Sequence, residues 1–289
     1  MNDYTPTTAF VFGGGGVRGA VEVGMLKALL ERGVYPDLVV GTSVGAMNAA
    51  ALAQNPTLEV IDTLIEAWSS PEAAAIYGEG IFSQAGRALR THTHLNSPEP
   101  IRQLAKKILN GDVSFEDLAV PLQVVAASIE RASEHVFASG PVIPALLAST
   151  AVPGLFPPAQ VGDEHFIDGG MVNSIPLSPA INAGAKEIYV MQVGRIEEPL
   201  DVPRTPVDTA RVAFEISRRH RFFEDLEDCP EGVEIFVLPS GGRLKKDDGP
   251  MAYKDVAQAR ARIDRAYRAS AVYLAEHSEH SRRTAGYDT

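Results

Sequence analysis

The 289-residue sequence has a single cysteine, Cys229, which excludes an intramolecular disulfide framework and a zinc site built from cysteines. It has no uninterrupted run of about 18 apolar residues, so no segment is expected to span a membrane. The first residues, MNDYTPTTAF, lack the basic start of a secretory signal, and Gly13 to Gly16 break the apolar stretch behind them. Positive charge is scarce: 26 Lys and Arg stand against 37 Asp and Glu, a net charge of −11. That balance argues against general attraction to nucleic acid or to an anionic membrane surface. The expectation from these absences is a cytoplasmic protein. A hydrophobic content of 45% and a charged content of 22% are ordinary for a globular chain with a sizeable core.

What is present reads as alternating strands and helices. Thr8 to Phe12 is a short β-leaning run ended by glycines, and from Val17 small and apolar residues recur at helical spacing up to Gly33. Asp37 to Gly41 reads as a second buried strand, followed by helices from Val44 to Gln54 and from Leu58 to Trp68. Residues 69–97 break the pattern with Pro71, Gly78, Gly80 and Gly86, and suggest a lid over a site. Beyond them, helices are expected over Glu99–Leu109, Pro141–Thr150 and Pro176–Ala183, and strands over Pro121–Ile129, Glu134–Ala138, His165–Asp168 and Glu187–Val193. The last elements are a helix over Val207–Leu226 with Val212, Ile216, Phe223 and Leu226 on one side, a strand over Val233–Leu238, and a C-terminal helix. With no internal repeat and no clear linker, one α/β domain over 1–289 is the simplest account, ending in a flexible tail over 277–289. Within the Val207–Leu226 helix, Arg218-Arg219-His220-Arg221 precedes Phe222-Phe223. This is either a solvated face with two core phenylalanines or a peripheral contact with lipid.

Three short motifs carry chemistry. Gly41-Thr42-Ser43-Val44-Gly45 is G-x-S-x-G between a strand and a helix, the setting of a nucleophile elbow. Its bland counterpart is a serine N-cap flanked by turn glycines. The loop Gly13 to Gly19 formally contains G-x-G-x-x-G, but the second strand runs straight into GTSVG without the acid that would hold a ribose, which disfavours an NAD-binding oxidoreductase. No Gly-Lys-Ser/Thr follows the loop, so it is not a P-loop. What remains is either a tight turn or a row of bare backbone N–H groups beside an exposed serine, as in an oxyanion hole. A base is still needed. His92, His94, His135, His165, His220, His277 and His280 are the only histidines. Of those that follow Asp168, as the order Ser, acid, His requires, His220 falls in a charged helix and His277 and His280 in the polar tail, none of them held at a strand end. Asp168-Gly169-Gly170 ends a strand, and its carboxylate could act as the base if partly desolvated. Read alone, Asp-Gly-Gly is also a common turn.

The three motifs in this order resemble the patatin-like phospholipases, in the compact bacterial type. Gly14, Gly15, Gly16, Arg18 and Gly19 match the family's G-G-G-x-R/K-G oxyanion loop, Ser43 its nucleophile and Asp168 its base, with Gly41, Gly45, Gly169 and Gly170 in the flanking motif positions. The stretches ASTAVPGLFPP (Ala148 to Pro158) and VNSIPLSPAINAGAKEIYVMQV also look like the family's, so the resemblance covers about Ala9 to Val193. Gly13 stands where many members carry aspartate or serine. The resemblance implies a three-layer α/β/α fold around a mostly parallel sheet, and a serine acyl hydrolase working on phospholipid or another acyl ester through a Ser-Asp dyad. It implies no metal and no cofactor. The alternative, on the same fold, is a catalytically silent module that binds lipid or protein. Arg18 either holds the loop or meets a phosphate headgroup.

Overall fold

The computed structural model describes residues 5–76, 95–193, 196, 199–242 and 256–284. The run TAFVF forms β1 (Thr8–Phe12), and LVVGT forms β2 (Leu38–Thr42), buried along its whole length. Continuous apolar runs of this kind belong to parallel strands covered on both faces. The other strands are β3 (Leu122–Ser128), β4 (Ser133–Phe137), β5 (Ala159–Val161), β6 (Glu164–Asp168), β7 (Glu187–Met191) and β8 (Glu234–Val237). They join in one sheet in which β3, β2, β1, β7 and β8 run parallel in that order. From β1 the chain builds outward to β2 and β3, then returns to place β7 on the other flank of β1. The carboxyl end of β1, where the glycines begin, is therefore the switch point at which such sheets bind ligands.

Side chains alternate across the sheet. Phe10 and Phe12 face a core with α1 (Ala20–Leu30), α2 (Val44–Gln54), α3 (Glu59–Trp68), α4 (Pro71–Ile76), α5 (Glu99–Ile108), α6 (Val142–Ser149) and α9 (Val256–Thr284). Ala9 and Val11 face the opposite core, with α7 (Leu177–Asn182) and α8 (Pro206–Glu227). The result is the expected three layers. Helix α1 is buried on every side because α9 lies over it, and Gly24 permits the contact: a Cβ there would stand 2.1 Å from the Ile263 carbonyl oxygen.

One junction positions everything that follows. Residues 126–128 of β3 pair with both β4 and β6, and residues 124–125 pair with both β4 and β2. A strand has two edges, and β4 occupies one of them throughout. Strands β2 and β6 therefore share the other edge, running towards each other. The first stops with Thr42 opposite Val125, and the second stops with Asp168 opposite Ala126. Ser43 and Asp168 are thus delivered to one point.

The structure departs from the sequence reading in four places. Residues 16–19 form a 3-10 turn, so α1 starts at Ala20 rather than Val17. The short strand β5, in a hairpin with β6, was not expected. Helix α9 continues to Thr284, past the start of the expected tail. Helix α8 buries a different face: Ile216 and Phe223 are exposed at 55% and 43%, whereas Arg218 and Phe222 are at 2% and 0%. Arg218 donates to Gln192 Oε1 at 2.8 Å and to Glu215 at 3.2 Å, and Arg221 donates to Ser178 and Asp225. Arg218 and Phe222 are therefore turned inward, so of the two phenylalanines expected in the core only Phe222 is there, and the face left exposed carries His220 and Phe223. Most of the expected lid, residues 77–94, lies outside the described residues.

Candidate active site

The chain must reverse sharply between β2 and α2, and two glycines allow it. A Cβ on Gly41 would stand 2.6 Å from the Ala46 Cα, and one on Gly45 would stand 2.4 Å from the Phe12 carbonyl oxygen. Ser43 sits at the apex with φ 54° and ψ −125°, a conformation that L residues rarely adopt and that costs on the order of 1–3 kcal/mol. Three hydrogen bonds hold it. The Ser43 amide donates to Ser149 Oγ at 2.7 Å, the Ser149 hydroxyl donates to the Val125 carbonyl at 2.6 Å, and the Thr42 hydroxyl donates to the Asn173 carbonyl at 2.8 Å. The Ser43 side chain does not cap α2. Its hydroxyl donates instead to Asp168 Oδ2 at 2.6 Å, which decides against the N-cap reading.

Asp168 serves the turn and the serine together. Oδ1 accepts the Gly170 amide at 2.7 Å while Oδ2 accepts Ser43. Gly169 and Gly170 leave no room for side chains, whose Cβ atoms would stand 2.2 Å from the Val125 carbonyl oxygen and 2.7 Å from Phe214 Cζ. Asp168 is 3% exposed, and burial pushes its carboxyl up to about 6, against the opposing hydrogen bonds from Ser43 and the Gly170 amide. A carboxylate in this state is a far better proton acceptor at neutral pH than an exposed aspartate.

The glycine loop lies against Ser43: a Cβ on Gly14 would stand 3.4 Å from the Ser43 Cβ. The Gly13 amide is tied to the Met191 carbonyl at 2.8 Å and the Gly14 amide to the Ser174 carbonyl at 2.7 Å. Gly14 was expected among the oxyanion donors, and this commitment removes its amide from that set. The Gly15 amide and, at the start of the 3-10 turn, the Gly16 amide make no hydrogen bond to a described residue. Gly16 has φ +59° and lines a pocket with Ser43. Gly15 is extended but crowded, since a Cβ there would stand 1.8 Å from Val193 Cγ2. The Arg18 amide donates to the Gly15 carbonyl at 3.4 Å within the turn, while its half-buried side chain makes no hydrogen bond or ion pair with a described residue.

The pocket is open to solvent and spans about 370 Å³, its open mouth included. Gly16, Ser43 and Thr150 form its polar rim, and Val44, Met47, Trp68, Ile76, Ile101 and Leu104 form apolar walls. The described histidines are occupied elsewhere. His165 binds Glu130, His220 pairs with Glu224, His135 packs on Phe137 and Phe166, and His277 stacks on Tyr273. His92 and His94 lie outside the described residues, as does the side chain of His280.

Sequence reasoning missed the supports: Ser149 under the elbow, and Asn173 and Ser174, whose carbonyls anchor the nucleophile strand and the glycine loop. Asn48, Glu22 and Trp68, discussed below, were missed as well. A signal existed for two of them. Glu22 and Asn48 are polar residues within the largely apolar helices AVEVGMLKALL and VGAMNAAALAQ, and both are fully buried.

A sequence-family profile described as "Patatin-like phospholipase" matches residues 10–181. The patatin-like phospholipase domain-containing protein ZK370.4 of Caenorhabditis elegans is 33% identical over 190 residues, 65% of this chain and 14% of that protein. Neuropathy target esterase sws of Drosophila melanogaster is 30% identical over 188 residues, 64% of this chain and 13% of that protein. The chain thus matches about a seventh of the length of these relatives. Among solved structures, VipD from Legionella pneumophila matches over 95% of this chain and 67% of its own, at a TM-score of 0.45 and 16% identity. The type III effector protein ExoU matches over 94% and 53%, at 0.41 and 14%.

Proposed function

The chain belongs to the patatin-like phospholipase family, and from that premise we propose that it is a serine lipid acyl hydrolase. The observation that carries the reading is the 2.6 Å hydrogen bond from the Ser43 hydroxyl to a buried Asp168 carboxylate, made from a strained elbow rather than from a helix cap. In the proposed reaction Ser43 Oγ attacks the ester carbonyl carbon while Asp168 Oδ2 takes its proton. The carbonyl oxygen becomes an oxyanion, met by the amides of Gly15 and Gly16. Collapse breaks the bond to the alcohol, which leaves with the proton from Asp168 and yields an acyl-serine. Water then enters, gives a proton to Asp168 and attacks the acyl carbon. The second tetrahedral intermediate collapses to the free acid, and the proton returns to Ser43 Oγ.

The apolar walls beside Ser43 suit an acyl chain, which supports a lipid ester as substrate, with phospholipid the class the family name suggests. No helix among the described residues is long and apolar enough to cross a membrane. The reading therefore has substrate reached by surface contact or from solution.

The test is intact-mass and peptide mapping after treatment with a fluorophosphonate probe, with Ser43→Ala alongside. One adduct on Ser43, absent from the folded variant together with hydrolysis of nitrophenyl esters, is the expected result. Folded wild-type protein that takes no adduct and turns over no ester in the presence of detergent or lipid would overturn the hydrolase reading in favour of a binding module.

A further inference from the structure

A second hydrogen-bonded cluster lies behind the glycine loop, and the dyad makes no use of it. Its hub is Asn48, on α2 five positions beyond Ser43 and fully buried. Its Nδ2 donates to the Gly19 carbonyl at 3.0 Å and to Glu22 Oε2 at 2.8 Å, which uses both of its hydrogens. Its Oδ1 accepts the indole N–H of Trp68 at 2.9 Å. Each partner belongs to a different part of the site. Gly19 closes the glycine loop, and Trp68 forms part of the apolar pocket wall. Glu22 lies on α1, which continues from the loop.

We infer that Asn48 is a positioning residue that locks the oxyanion loop and the Trp68 wall of the acyl pocket to the helix that carries the nucleophile. The inference rests on the hydrolase reading above. Three observations support it. The fit is close: a Cβ on Gly19 would stand 3.3 Å from Trp68 Cζ2 and 2.3 Å from Val44 Cγ2, so loop, wall and nucleophile helix touch at this residue. Burial raises the Glu22 carboxyl well above its usual range, against the opposing hydrogen bond from Asn48 and the nearby Arg218 charge, and its Oε1 meets no partner among the described residues. Finally, a hydrogen bond at each site is directional, so rotation of the Trp68 ring by a bound acyl chain is resisted at the side-chain amide that also holds Gly19.

The experiment compares wild type, Asn48→Ala, Trp68→Phe and the double variant on nitrophenyl butyrate and nitrophenyl laurate, with circular dichroism to establish folding. Trp68→Phe keeps an aromatic ring and removes the donor. Asn48→Ala, which removes three hydrogen bonds, is expected to lower kcat at least about ten-fold, the net worth of a single one, with the loss on kcat rather than KM. Trp68→Phe is expected to give a smaller loss, also on kcat, and the double variant no more than Asn48→Ala alone. Losses confined to KM, or losses that multiply in the double variant, would show wall packing only and overturn the inference. Should Asn48→Ala fail to fold, the kcat of Trp68→Phe against wild type decides. Should wild type turn over neither ester, the hydrolase reading fails separately, and amide hydrogen exchange at Gly19 and Ala20 judges the tie. Exchange in Trp68→Phe faster than its change in global stability explains supports it, and unchanged exchange overturns it.

Discussion

Replacing Asp168 by asparagine should make the protein inactive and, at neutral pH, more stable. Asp168 is ionisable, 3% exposed and held at about 6 by burial, against an ordinary value of 3.8. A carboxyl whose folded value is raised contributes stability that is fully present below the unfolded value, and this is lost as pH rises through the folded value. The gap is about two pH units, so ionising the buried group costs about 3 kcal/mol at neutral pH, at about 1.4 kcal/mol per unit. Asparagine removes that titration. It keeps an oxygen for the Gly170 amide and turns its NH2 towards Ser43 Oγ, which can accept. Urea unfolding of both proteins from about pH 4.5 to about pH 7.5 should show the stability difference shifting towards the variant by about 2 kcal/mol across that window. Over the same range the variant should take no fluorophosphonate adduct. A stability difference that stays constant across the window would refute the argument, because the folded Asp168 would then titrate like an exposed aspartate.

Two further outcomes follow from the site. With a base near 6, kcat/KM should fall about ten-fold for each pH unit below that value, and a flat profile down to about pH 4.5 would mean an unperturbed base. Gly15→Ala should cost about a hundred-fold or more in kcat by displacing an oxyanion donor. Its φ of 173° suits any residue, so the effect is purely the clash with Val193 Cγ2, and Val193→Ala in the same chain should recover part of the loss. Wild-type kcat in the single variant would place the oxyanion donors elsewhere.

The parts of the fold that were legible are those where apolar runs end in glycine. Strands β1 and β2 were readable because burial on both faces makes each a nearly unbroken apolar run up to Gly13 and Gly41. Helix α8 was misread for the opposite reason. Its buried face runs through Arg218 and Phe222, with Phe214 half-buried beside Gly170, and an arginine inside a core counts as surface in any hydrophobic pattern. In the site, Ser43 and Asp168 were legible from their glycines, which crowding by neighbouring backbone demands. Which loop amides remain open was not. Gly14 looks like its neighbours in the sequence, and only the position of the Ser174 carbonyl shows its amide to be taken. Ser149 was hidden likewise, since nothing local marks a serine whose partners come from the elbow at Ser43 and from β3.

The meeting of β2 and β6 on one edge of β3 also bears on how the protein comes to be active. Ser43 and Asp168 are 125 residues apart in the chain, yet each is placed by its own register on the same strand. Contacts so distant in sequence carry a large loop-closure cost and form late. A refolding chain can therefore assemble α1, α2 and the parallel strands β1 and β2 from nearby segments and still have no dyad until β6 docks. Regain of probe labelling in a refolding experiment then reports that last long-range pairing, while regain of helical signal reports the earlier ones. A chain caught between the two would be collapsed, largely helical and chemically silent.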